Sequence, residues 1–114
     1  MENVLRNIVL NLKNNPRDLK TVPLKGEGKW FYAYEDKGDI YVDSAIEHNP
    51  SCSIAIRRKL QQKEFELIYK IYLRRENGEQ VSQEATEVTR NQVYWYSIIK
   101  NCSKYIDTFK NEDK

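Results

Sequence analysis

The stretch SQEATEVTRNQVYWYSIIKNCSKYIDTF, from Ser82 to Phe109, decides how the rest of the chain is read. Ala85, Val88, Gln92, Trp95, Ile99, Cys102, Ile106 and Phe109 recur three and four residues apart, which keeps them on one face of an α-helix. Ser82 is placed to cap it, Glu84 suits the positive end of the helix dipole, and neither Gly nor Pro interrupts the run. One continuous helix is therefore expected. At 1.5 Å per residue it would be roughly 40 Å long, against a diameter of roughly 34 Å for a compact chain of this size. It must bend, with Asn101 to Ser103 the expected place because Asn and Ser compete for backbone hydrogen bonds, or else protrude. A protruding end would expose Ile106 and Phe109, and a homodimer that covers them is the expected consequence.

Working outward, Glu64 to Arg75 carries Phe65, Leu67, Ile68, Tyr69, Ile71, Tyr72 and Leu73 around more than half a helical circumference, and Gly78 supplies its terminating turn. The two segments read as a long C-terminal antiparallel helix pair. Val81 to Ala85 followed by Thr89 to Val93 is locally similar to a helix-turn-helix. Only seven positions separate Ser82 from Thr89 and no Gly lies between them, so a single helix is the better fit.

Upstream, Trp30 to Tyr34 and Ile40 to Asp43 are rich in aromatic and β-branched residues, with Asp36, Lys37, Gly38 and Asp39 between them as a turn, which predicts a hairpin. Trp30, Tyr32 and Tyr34 share one face of the first strand, Phe31 and Ala33 the other. Such rings can stack on bases, but a small sheet needs a covered face, so packing of these rings against the helices is expected. Glu2 to Lys13 reads as an amphipathic helix stopped by Asn14, Asn15 and Pro16, and Thr21 to Leu24 as a short edge strand. Cys52, Ile54 and Ile56 alternate with polar residues, which predicts a further strand ending in Arg57, Arg58 and Lys59. The fold class is thus α+β: an N-terminal helix, a small antiparallel sheet with a central hairpin, and the C-terminal helix pair. Residues 1 to 110 read as a single domain and 111 to 114 as a frayed tail.

The charges of 19 Lys plus Arg and 17 Asp plus Glu leave +2, so any electrostatic site must be local. Cys52 and Cys102 have neither disulfide-framework nor metal-ligand spacing and read as reduced thiols. No motif calls for a cofactor or metal. With no signal-like or membrane-length apolar run, the expected location is cytoplasmic.

Candidate chemistry is sparse. Asp43, His48 and Ser51 sketch an acid, base and nucleophile without the glycines of a nucleophile elbow. Glu35 and Lys37 match only part of a metal-dependent nuclease motif. Asn91 and Gln92 project into the apolar sector of the Ser82 to Phe109 helix, where buried amides need partners. With Arg75, and with Arg57 and Arg58 if the strand packs nearby, they form the expected ligand-binding set. The favoured function is a small non-enzymatic binding module for nucleic acid, because Arg57, Arg58, Lys59, Arg74, Arg75 and Arg90 cluster along an aromatic-rich sequence. The alternatives are a protein-interaction or regulatory subunit that self-associates through its C-terminal helix, and a small hydrolase or nuclease.

Overall fold

The computed structural model describes residues 2 to 103. The chain opens with α1, Glu2–Asn14, whose Ile8 and Leu12 are wholly buried. It ends where expected, at the Asn-Asn-Pro sequence. Four strands follow as an antiparallel meander in chain order: β1 Arg17–Lys20, β2 Trp30–Asp36, β3 Asp39–Ser44 and β4 Arg58–Leu60. A short 3-10 turn, Gln62–Glu64, leads into α2, Phe65–Glu76, and then α3, Ser82–Val88, and α4, Gln92–Cys102. The architecture is α+β.

The central hairpin forms as its residues dictate. Lys37 and Gly38 both have positive φ, 53° and 86°, the backbone of the two-residue turn whose twist matches that of the flanking strands. The Glu35 carboxylate accepts the Gly38 N–H at 2.7 Å, so the acidic half of the nuclease-like Glu35 and Lys37 pair is committed to the turn.

β1 lies four residues earlier than the edge strand expected at Thr21 to Leu24. Leu19 pairs with Phe31 and turns its side chain into the core, and the ladder extends only to a bond from Thr21 N–H to Lys29 O at 2.9 Å. Here Gly28 is required by space: a Cβ on it would lie 2.1 Å from the Thr21 carbonyl oxygen.

The strand expected from Cys52 is also displaced. Residues 52 to 57 find other partners: Cys52 N–H donates to Trp30 O at 2.7 Å, and both backbone groups of Ile54 bond the Ser44 hydroxyl at 3.1 Å. Ile54 is buried but Ile56 is exposed, so the alternation ends before the basic residues. The ladder is made instead by Arg58, Lys59 and Leu60 against Ile40 to Val42.

The largest correction concerns the continuous helix. It stops at Val88 and restarts at Gln92. Thr89 is extended (φ −160°, ψ 148°), and its hydroxyl accepts the Asn91 N–H at 3.0 Å while its own N–H closes the last turn on Ala85 O. Short polar side chains that offer the backbone an alternative to the helical ladder are the physical cause. The bend expected at Asn101 rests on the same chemistry, yet there Asn101 Nδ2 bonds back to Ser97 O at 2.7 Å within the helix, which runs on to Cys102. Ile106 and Phe109, and the tail from residue 111, lie outside the described residues.

One core holds these elements together. α1 packs on β2 and β3, α4 on β1 and α1, and α2 on α3 and α4. Phe31, Ala33, Ile40, Val42 and Leu60 from the sheet meet Ile8, Leu12, Phe65, Ile68, Trp95, Ile98 and Ile99 from the helices, all of them fully or almost fully buried. The helices thus cover the face that carries Phe31 and Ala33. Of the hairpin rings expected to pack against the helices, Phe31 does, while Trp30, Tyr32 and Tyr34 lie on the other face. Among the described residues no helix is long and apolar enough to cross a membrane.

Candidate functional site

The face of the sheet turned away from the helices follows from the pairing register. It carries Asp18 and Lys20 from β1, Trp30, Tyr32 and Tyr34 from β2, Tyr41 and Asp43 from β3, and Lys59 from β4. The four rings on it are half-buried, and Lys59 is exposed. Tyr32 and Tyr34 have centroids 5.4 Å apart, and Tyr34 and its cross-strand partner Tyr41 lie 5.7 Å apart with planes within 19°. A row of rings therefore crosses the sheet surface.

Each end of the row carries a polar cap. At one end the Arg57 guanidinium lies 3.9 Å from the Tyr41 centroid and donates to Tyr34 Oη at 3.1 Å and Asp36 at 3.2 Å. These bonds with Tyr34 and Asp36 hold its charge more firmly than in a free arginine. At the other end the His48 ring stacks on Trp30, 4.0 Å between centroids and 20° between planes. Lys20 Nζ approaches the same indole at 5.9 Å.

His48 is fixed in that position by Asp18. The Asp18 side chain is only 2% exposed, and its carboxylate accepts N–H bonds from Ile46 (2.9 Å), Glu47 (2.8 Å) and His48 (3.0 Å), and contacts His48 Nδ1 at 2.8 Å. A carboxylate can only accept, so the imidazole proton is placed on Nδ1, leaving Nε2 free. Burial alone would raise the Asp18 pKa. The bonds from Ile46, His48 and Glu47 outweigh that and hold the carboxyl below its ordinary range. The loop after β3 is thereby tied to β1 as a strap over the Trp30 end of the row.

Beside the strap is a cleft of about 530 Å³ between the start of β1 and residues 46 to 48, floored by Trp30 and Tyr32. That volume is in the range of small-ligand sites. Comparison with models of known families, with curated proteins and with solved structures gives no match to this chain.

The residues expected to bind a ligand are spread over the molecule. Arg57 reaches the uncovered face. Arg58, its neighbour, points to the other side, where it donates to Asn91 Oδ1 at 3.3 Å and lies 5.9 Å from the Tyr94 ring. Arg75 donates to Val22 O at 2.6 Å and sits 4.5 Å over Tyr96. The side-chain amide of Gln92 reaches back across the turn to the Thr86 hydroxyl at 3.1 Å and the Thr89 carbonyl at 2.6 Å. Of the five, the structure brings Arg58 and Asn91 together and keeps the others apart. Arg74, from the wider basic cluster, is held by Glu84 at 2.7 Å and Glu79 at 3.0 Å.

The catalytic sketch is not assembled either. The partner of His48 is Asp18, while Asp43 accepts the Ser44 N–H at 2.8 Å. Ser51 Oγ donates to Cys52 O and accepts from Ala45 N–H, both at 2.8 Å. Cys102 is buried against Arg17, at 3.7 Å, and desolvation pushes its thiol up to about 11.

Proposed function

We propose that the protein is a small non-enzymatic binding module that holds single-stranded nucleic acid on the uncovered face of its sheet. The observation that carries this is the row Trp30, Tyr32, Tyr34 and Tyr41 on the face opposite the packed helices. Among the described residues no helix covers these rings, which lie between the His48 cap on Trp30 and the Arg57 cap on Tyr41; such a surface favours a flat partner, and every base presents a π-face whatever the sequence. Stacking on aromatic residues of an open sheet is a known physical solution for unpaired strands.

The charges fit a moderate binder. Lys20, Arg57 and Lys59 flank the rings, and each is paired with a carboxylate at the surface, Glu27, Asp36 and Asp39. Exposed pairs of this kind are worth at most about 1 kcal/mol, so a phosphate can take the carboxylate's place at small cost. Three such contacts predict that log K falls with log salt with a slope of about −2 on a single strand. The bulk of the affinity then rests on stacking.

The test is fluorescence anisotropy of labelled oligo(dT) and oligo(U) across a salt series. Binding with a shallow slope, weakened about fivefold or more by Tyr34→Ala or Tyr41→Ala, is the expected result. Absence of binding at low salt would end the proposal. Equal binding by both tyrosine variants would move any site to another surface.

A further inference from the structure

The cleft next to the strap has a chemistry of its own, and resting on the nucleic-acid reading above, we infer that it is a recognition pocket for one guanine base. Pro16, Trp30, Tyr32 and Ile46 line it with apolar surface, and Asn15, Glu47 and His48 line it with polar groups. Two further charged residues border it, and both are committed. Asp18 already accepts four hydrogen bonds, and Arg17 is spent on Asn11 Oδ1, Asn15 O and the Cys102 sulfur. Among the described residues the Glu47 carboxylate takes no hydrogen bond and no ion pair, so it is the anionic acceptor left over. The Glu47 backbone is pinned by its bond to Asp18, which holds the side chain's root at the rim.

An ionised carboxylate is acceptor-only and presents two oxygens side by side. Among the nucleobases only guanine offers two adjacent donors on its Watson–Crick edge, N1–H and the N2 amine. Adenine and cytosine place a ring-nitrogen acceptor beside their amine, and uracil flanks its one N–H with two carbonyls. Each of these three would bring a lone pair against the second carboxylate oxygen. Unpaired strands are read on this edge. A base entering the cleft would meet apolar surface from Ile46 and Tyr32 and one uncommitted anionic group, the Glu47 carboxylate.

Trp30 reports on the cleft, because the other tryptophan, Trp95, is fully buried in the core. The intact protein is titrated with GMP, AMP, CMP and UMP, following Trp30 emission, and separately with oligo(dT). The expected result is saturable quenching by GMP about tenfold or more tighter than by the other three, and loss of that margin in Glu47→Gln with oligo(dT) binding unchanged. Equal affinity for the four nucleotides, or a guanine margin that survives Glu47→Gln, overturns the inference. If oligo(dT) binds without any guanine preference, the pocket falls and the sheet platform stands. If GMP is preferred but oligo(dT) does not bind, the platform falls and the pocket stands.

Discussion

Replacing Asp18 by Asn tests the strap most directly. The native carboxylate accepts from Ile46, Glu47 and His48 main-chain N–H groups and from His48 Nδ1, at 2.8 to 3.0 Å. Three of these four converge on Oδ2. An asparagine can turn its oxygen toward that group, but its NH2 then faces the Ile46 N–H, donor against donor. The charge is lost as well, and hydrogen bonds to a charged group are worth about 1.5 to 3 kcal/mol each. The amides freed from the strap regain water, so the net cost falls well below the sum, to about 2 to 4 kcal/mol. Urea unfolding followed by tryptophan fluorescence reads the global loss. Amide exchange at Ile46, Glu47 and His48 reads the local one. The same carboxyl sets an acid limit. Its folded pKa lies below the ordinary aspartate value of 3.8, so its contribution is complete above that value and is lost as pH falls through the folded one. Asp18→Asn should flatten stability below about pH 4. A loss under about 0.5 kcal/mol with unchanged exchange at the three amides would refute the account of Asp18 as the strap's anchor.

Gly28→Ala sets a Cβ 2.1 Å from the Thr21 carbonyl oxygen, backbone against backbone, and should cost about 2 kcal/mol or more in a thermal melt. Arg75→Ala removes both the bond to Val22 O and the stack on Tyr96, and should lower stability by about 1 to 3 kcal/mol in urea. Leaving oligo(dT) affinity intact, it separates this arginine from the sheet surface. Thr89→Ala deletes the hydroxyl that receives the Asn91 N–H and should cost about 1 kcal/mol in the same urea assay.

The parts of the fold that local chemistry determines were legible from the residues. α1 ends at Asn-Asn-Pro because no helix passes it, and the hairpin follows from two aromatic runs around a Lys-Gly turn. The periodicity from Ala85 to Cys102 correctly named Ala85, Trp95, Ile99 and Cys102 as core, all 0 or 1% exposed. It failed at Thr89 because a stripe of apolar residues constrains which face is buried, not whether the backbone is continuous. Two helices in the same register produce the same stripe. The resemblance to a helix-turn-helix was the better guide to the connection. It does not carry DNA recognition with it. Tyr94 through Ile99 are all buried, and Ser97 Oγ is bonded to Lys20 O at 2.7 Å, so α4 has no free face over successive turns to enter a groove.

The site was legible in part, and the reason lies in what sequence spacing encodes. Trp30, Tyr32 and Tyr34 announced a shared face by period-two alternation, but which face the helices would choose depended on volumes across the whole core. Phe31 and Ala33, a large residue beside a small one, lie on the side of β2 against which α1 packs with Ile8 and Leu12 buried, whereas the other face carries three large rings at alternate positions. Asp18 could not be found from sequence, because its three main-chain donors and its imidazole partner lie 28 to 30 residues away and are joined to it only through the meander. The arginines mislead for the complementary reason. Arg57 and Arg58 are adjacent in the chain, yet Arg57 precedes β4, which begins at Arg58, and their side chains reach opposite sides of the sheet. One stacks on Tyr41 at the open surface while the other reaches Asn91 and Tyr94 on the helical side. A basic cluster in sequence becomes a basic patch only where the backbone keeps its side chains on one side. The entry into β4 divides this one between the two faces of the sheet.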